Sequence, residues 1–430
     1  MLSMKLIREN PEIVIQSLEK RQDTEMLQKF NDILDFDTKY RKKLQELEKL
    51  NQKRNQIIKQ ISINKKNKKP IEDLIKESKK LPGKIDKLKL KVDDLNKKMY
   101  DILMQLPNVL HESVPYGVDE SENVLVDEYK GKKKQTFKPK SHVDVIKDLD
   151  LVDLDRAGKT SGARFYYLKN ELALLDMALQ RYAIDFMMKK GYDFVVPPAM
   201  INRKSAEGVT DLGAFEEMIY KIEDEDLYLI ATSEHPLTAM YQDEIIEEKD
   251  LPIKVVGLSQ CFRKEAGTHG KDTKGIFRVH QFTKVEQIII CNPDESWDYH
   301  EELIDNAKDF FKSLEIPFRQ VNICTGDIGI VAAKKYDLET WMPAQETYRE
   351  IVSASNCTDY QSNRLNIRFR TTENKKQINK KVHTLNSTVV ATSRALVAIL
   401  ENYQDKSGNI KIPKVLVPYM NGIDKIKAKK

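Results

Sequence analysis

The sequence predicts an α+β chain in two parts: a long N-terminal antiparallel helical hairpin, then a domain in which helices alternate with strands. Three observations carry this. Apolar residues recur in alternating steps of three and four across residues 33–102, broken once by a polar stretch. From about Ser161 to the end, helix-period and strand-period segments alternate. Positive charge concentrates in the first part alone.

Residues 1–25 read as a short helical lead-in, with Asn10 able to cap and Pro11 suited to a first turn. In the first long segment the apolar positions are Ile33, Phe36, Tyr40, Leu44, Leu47, Leu50, Ile57 and Ile61. In the second they are Ile71, Ile75, Leu81, Ile85, Leu88, Val92, Leu95, Met99 and Ile102. The polar NKKNKKP at 64–70 separates two segments of similar length, so they should fold back on each other. At 1.5 Å per residue each arm reaches roughly 50–60 Å. Pro82-Gly83 should interrupt and kink the second helix. Residues 1–106 form this first domain, 107–160 a turn-rich connector with the basic, mobile GKKKQTFKPK, and 161–430 the candidate catalytic domain.

Residues 41–100 hold 20 Lys/Arg against 8 Asp/Glu, a net +12, while the whole chain is only +5. A lysine-rich coiled coil of this kind suits nucleic acid phosphates; a dimerising coiled coil with a solvated surface also fits. The start MLSMKLIREN lacks the apolar stretch of a signal peptide, and no window approaches a membrane span. Cys261, Cys291, Cys324 and Cys357 stand apart with no CxxC pair, which argues against a disulfide framework or thiolate zinc site and for a reducing, cytoplasmic compartment.

The chemistry concentrates after residue 170. Residues 171–190 read as an amphipathic helix ending at Gly191, followed by a short strand, DFVV, that stops at Pro197-Pro198. KVVGLSQCFRKE and IFRVHQFTKVEQIII read as two strands joined by AGTHGKDTKG, with Arg263 opposite Arg278 if the turn centres on Gly270. Period two puts Arg278, His280, Phe282, Lys284 and Glu286 on one face, too polar for a core and suited to a ligand. The basic loop could reach phosphates beyond the sheet. LYLIATSEHPLTAMY reads as strand, loop and helix, with Thr232 and Glu234 lining a small polar pocket or Thr232 or Ser233 serving as an N-cap. Glu350 and Ser353 fall at a strand end, where a carboxylate beside a hydroxyl could hold Mg²⁺. Arg394 lies in an apolar helix, snorkelling to solvent or held against a phosphate.

Three ordered elements resemble the signature motifs of class II aminoacyl-tRNA synthetases: a helix and strand ending at Pro197, FRKE with its basic loop, and the helix carrying Arg394. SGARFYYLKNE, LIATSEHPLT, RVHQFTKVEQ, KYDLETWMP, SNCTDYQSNRL and HTLN…LENYQ are similar to the seryl-tRNA synthetase family over essentially the whole chain. GVTDLGAFEEMIYKI and SNCTDYQ resemble its archaeal and eukaryotic cytosolic branch. The resemblance implies a mostly antiparallel sheet flanked by helices, and a homodimer joined partly through the first motif. It implies ATP and Mg²⁺ as substrate and cofactor, and L-serine and serine tRNA as partners, with selenocysteine tRNA a second candidate. It implies catalytic roles for Arg263 and Arg394 on the α- and γ-phosphates. The ATP site would take Arg263, Lys264, Glu265, Val279, the run Glu350, Ile351, Val352, Ser353, and Arg394, with Glu350 and Ser353 at Mg²⁺. Serine would meet Thr232, Ser233, Glu234 and Glu286, and either Asn386 or Thr388.

Overall fold

The computed structural model describes residues 1–131, 135–211, 213, 216–265 and 274–427. They fall into two compact units, Met1–Pro107 and Asn108–Lys430.

The first unit is all helix: α1 (Met4–Glu9), α2 (Pro11–Lys20), α3 (Thr24–Lys66), α4 (Glu72–Lys80) and α5 (Pro82–Leu103). Asp23 caps α3 by accepting from the Met26 N–H at 3.0 Å. The 43 residues of α3 correspond to about 65 Å of helix. Helices α4 and α5 run back along it, and Ile57, Leu81 and Ile85 bury in the seam with Leu47, Leu50, Ile61 and Leu74 around them. Pro82 starts α5, where its missing N–H costs no helical bond. Leu81 keeps right-handed helical angles between α4 and α5, so the proline interrupts the hydrogen-bond ladder without opening a loop. The heptad reading passes over Asp37. Its carboxylate is buried on α3, 2.6 Å from Arg8 and 2.9 Å from Arg41, and ties α1 to the long helix.

The second unit is built on an eight-stranded sheet: β1 (Val124–Tyr129), β2 (Asp193–Val195), β3 (Ile253–Phe262), β4 (Gln281–Cys291), β5 (Phe318–Asn322), β6 (Lys334–Met342), β7 (Thr347–Asn356) and β8 (His383–Ala391). The order is β1-β5-β6-β7-β8-β4-β3-β2. Every pairing is antiparallel except β2 with β3. Helices α6 (Asn170–Lys189), α8 (Ser296–Ser313) and α9 (Thr392–Asn402) pack their apolar faces into the same core as Val285, Ile289, Val352, Ala354 and Leu385 of the sheet. A short helix, α7 (Glu234–Ala239), sits over Val255 and Ile288 through Leu237.

The residues expected to form a connector are built into this unit. β1 is one of the sheet's two edge strands, and Val145, Ile146 and Leu149 belong to the main core. In the basic stretch, residues 132–134 lie outside the described residues, but its end is anchored: Gln135 donates to the Glu401 carbonyl at 2.9 Å, and Gln404 bonds both the N–H and the carbonyl of Lys140.

Candidate active site

Period-two alternation decides which side chains leave the core. Val285 and Ile289 of β4, Val352 and Ala354 of β7 and Leu385 of β8 face the helices. Their neighbours Lys284, Glu286, Ser353, Ser355 and Asn386 line a cavity of about 560 Å³ on the other side. Glu350 and Ser353 are three apart and would point to opposite faces of a regular strand. A bulge corrects this. Val352 pairs with Leu338 and Glu350 with Glu339, so Ile351 is the extra residue and Glu350 faces the cavity with Ser353. Both therefore stand within a strand, not at the expected strand end.

Thr232, Glu234, Arg263, Lys335 and Glu350 also line this cavity. A smaller cavity of about 70 Å³ is lined by Arg263, Glu265, Val279, Glu350, Ile351, Ser353, Thr388 and Arg394. Arg263, Lys284, Glu350 and Ser353 border both.

The hairpin register differs from the expected one. Phe262 pairs with Gln281, and the Arg263 N–H donates to the His280 carbonyl at 2.9 Å, so Arg263 lies opposite His280. The ladder ends because Ile276, Phe277 and Val279 turn into the core. Arg278 and His280 thus leave the strand face, and Arg278 instead bonds Glu265 at 2.8 Å. Gly267, His269, Gly270 and Lys271 of the basic loop lie outside the described residues.

Of the expected nucleotide residues, Val352 faces the core, and Lys264 lies over the Tyr220 ring, 5.8 Å from its centre. Arg263 donates to the Ala231 carbonyl at 3.3 Å with its guanidinium over Phe282. Arg394 does not snorkel. It donates to the Glu350 carbonyl at 2.9 Å, lies 3.2 Å from the Glu350 carboxylate, and covers Phe277. Arg349 lies against the same ring at 4.2 Å. The Glu350 side chain keeps 44% of its surface open to the cavity. Burial opposes its charge, but Arg394, Lys335 and Arg263 outweigh it and hold the carboxyl down at about 2.

Beside Glu350 stands Asp337, whose cross-strand partner is Ser353. Burial lifts Asp337 to about 7, Glu350 adds to the rise, and Lys335 opposes it. Among the described residues the buried Asp337 Oδ1 atom finds no hydrogen-bond partner. Glu350, Ser353 and Asp337 are all oxygen donors, and they do not make a full cage. That set fits a hard cation shared with phosphate oxygens.

In the polar pocket, Thr232 Oγ1 donates to Glu286 at 3.3 Å and accepts from Lys284 at 3.2 Å and from the Glu234 N–H at 3.2 Å. Lys284 also pairs directly with Glu286. Burial and the nearby Glu286 push the Glu234 carboxyl up to about 7, although Gln361, Lys284 and Arg263 pull it down. His235 is held down to about 3 by burial, then by Arg263 and Lys284, so it is neutral. Ser233 does not face the pocket; it is buried against Ser259, Oγ to Oγ 2.7 Å. Asn386 lines the larger cavity and bonds the Cys357 thiol at 3.6 Å, whereas Thr388 lines the smaller one.

Sequence reasoning missed Phe277, Lys335, Asp337 and Gln361. The alternation in KYDLE already places Lys335 and Asp337 on one face. Nothing local marks Gln361, which matters only through a residue 127 positions away.

Residues 219–403 match the tRNA synthetase class II core domain (G, H, P, S and T), and residues 1–110 match the seryl-tRNA synthetase N-terminal domain. A serine–tRNA ligase of Methanospirillum hungatei is 54% identical over 98% of this chain and 99% of its own length. The crystal structure of seryl-tRNA synthetase from Pyrococcus horikoshii complexed with ATP is 50% identical, covers 100% of both chains and superimposes with a TM-score of 0.94. The cytoplasmic serine–tRNA ligase of Naegleria fowleri in complex with AMP is 35% identical, with 100% of this chain and 99% of that one covered and a TM-score of 0.89. With its helical N-terminal unit and its class II core both matched, the chain belongs to the seryl-tRNA synthetase family.

Proposed function

We propose that this chain activates L-serine with ATP and transfers it to serine tRNA, releasing AMP and pyrophosphate. One observation carries the reading. Arg263 and Glu350 line the larger cavity together with Thr232, Glu234 and Glu286, and the smaller cavity, which they also border, adds Arg394 beside Glu350. This supports adjoining places for a triphosphate and a small zwitterion.

The serine carboxylate attacks the α-phosphate in line and pyrophosphate leaves; the terminal ribose hydroxyl of the tRNA then attacks the adenylate. Positioning and charge neutralisation suffice for the first step, so no protein nucleophile is needed. Arg263 serves the α-phosphate and Arg394 the γ-phosphate, with Glu265, Val279 and Ile351 bordering the nucleotide. Glu350 and Ser353 hold Mg²⁺, with Asp337 alongside; the ion supplies further neutralisation of phosphate charge when bound. Glu234 takes the serine ammonium. Glu286 and Thr232 take the side-chain hydroxyl, and alanine would leave them unpaired, which discriminates by roughly 10⁴–10⁵. Asn386, in the larger cavity, is the better placed of the two remaining serine candidates.

The lysine-rich hairpin α3–α5 supports a grip on tRNA phosphates, on serine tRNA first and on selenocysteine tRNA as an alternative. Exposed Leu174, Met177, Met188, Val196 and Met200, on and after α6, support a homodimer through this face. Among the described residues no helix is long and apolar enough to cross a membrane; with four free, buried cysteines this accords with a cytoplasmic place. The test is ATP–pyrophosphate exchange with each amino acid in turn, then charging of total tRNA. Exchange with serine alone is expected; exchange with another amino acid in its place would overturn the assignment.

A further inference from the structure

Gln361 lies on the short helix Tyr360–Leu365, is 1% exposed, and has every polar atom engaged. Its Nε2 donates to Glu234 Oε1 at 2.8 Å and to the Val209 carbonyl at 2.9 Å. Its Oε1 accepts from the Thr384 hydroxyl at 2.5 Å. Thr384 is itself fixed, because its carbonyl accepts from the Cys357 N–H and its N–H donates to the Thr358 carbonyl. A glutamine amide can face either way, and the Thr384 hydroxyl could serve either end, but the Val209 carbonyl and the Glu234 carboxylate only accept and so leave one satisfied orientation. The N–H therefore always faces Glu234.

We propose that Gln361, oriented by the Val209 carbonyl and held by Thr384, is a positioning residue that holds the Glu234 carboxylate in place and favours its charged form to receive the serine ammonium. This rests on the proposed role of Glu234. The pocket needs such a device. Glu286 stands close enough to oppose the charge on Glu234, and among the described residues Lys284 of β4 and Arg263 at the end of β3 offset it by charge. His235 is neutral, and the Cys357 thiol is pushed up by burial and by Glu234, so neither helps. A neutral N–H donor favours the ionised form at short range without adding a cation that would compete with the substrate ammonium.

The test uses the full chain with Gln361→Met, which keeps length and removes the donor, and Thr384→Val, which leaves the amide oxygen without its partner and loosens the side chain. Exchange kinetics are measured against serine and against ATP from pH 6 to 9. For Q361M the KM for serine at pH 7 should rise about 10- to 100-fold, the effect of one hydrogen bond to a charged group. KM for ATP should stay near wild type. The acid limb of kcat/KM for serine should move to higher pH, so that the defect shrinks at pH 9. T384V should show the same pattern more weakly. An unchanged serine KM and pH profile in Q361M overturns the proposal. So does an equal loss toward both substrates at every pH, which marks a merely structural role. Absence of serine exchange in the wild-type chain is a different failure, that of the activity itself.

Discussion

Glu234 is the residue whose replacement separates stability from function most sharply. Its carboxyl is moved from an ordinary 4.5 to about 7, first by burial and then by Glu286. A shift of that size corresponds to about 3 kcal/mol of ionisation penalty above pH 7. The side chain is partly open to the cavity, and screening by water there trims this to about 2 kcal/mol. Because the folded-state value is raised, the native chain binds the extra proton between pH 4.5 and 7. Stability is therefore greatest below this window and falls as pH rises through it. Glu234→Gln removes the penalty. Its new amide oxygen can still accept from Gln361, and the bond from the residue's N–H to Thr232 is a backbone one. Denaturant unfolding of both chains from pH 5 to 8 should show them equal near pH 5. By pH 8, E234Q should be more stable by about 2 kcal/mol. The same variant should lose serine-dependent exchange. A stability difference that is flat with pH, or an E234Q chain weaker at pH 8, would refute the idea that this site holds a charge against its own fold.

Two further outcomes follow from packing and from the division of the chain. An alanine Cβ at Gly257 would lie 2.4 Å from Leu237 Cδ1 and 3.2 Å from Ser233 Cβ. Leu237 is 1% exposed, so moving it disturbs packed neighbours, and Gly257→Ala should cost about 1–3 kcal/mol and raise the serine KM by displacing α7; a melting curve and a KM at wild-type values would contradict this. Deleting residues 27–105 should leave serine-dependent exchange largely intact and abolish tRNA charging; equal loss of both would mean the hairpin is structural.

Much of this molecule is legible because its signals are periodic. The heptad seam of α3–α5 is local in sequence, so steps of three and four predicted the hairpin. Alternation on β4 likewise exposed Lys284 and Glu286 as a polar face. The errors arise where a single residue breaks the period. The bulge at Ile351 returns Glu350 to the face of Ser353, and no composition signal announces it. Residues 276–280 leave the ladder because Ile276, Phe277 and Val279 find the core, which takes Arg278 off the face that strict alternation assigned to it. Adjacency in sequence groups Ser233 with Thr232 and Glu234, yet a tight turn into α7 points it at Ser259. Gln361 and Thr384 act through contacts that exist only once three distant segments meet. The connector looked like a linker because β1 is short and polar turns surround it; only pairing with β5 makes it part of the sheet.

The most direct test is serine-dependent ATP–pyrophosphate exchange by the wild-type chain and by Arg263→Ala. Arg263 borders both cavities, and its loss removes the guanidinium they share. Robust exchange with serine in the wild type and a fall of more than about a hundredfold in R263A are expected. Wild-type exchange in R263A would place the chemistry somewhere other than this cavity.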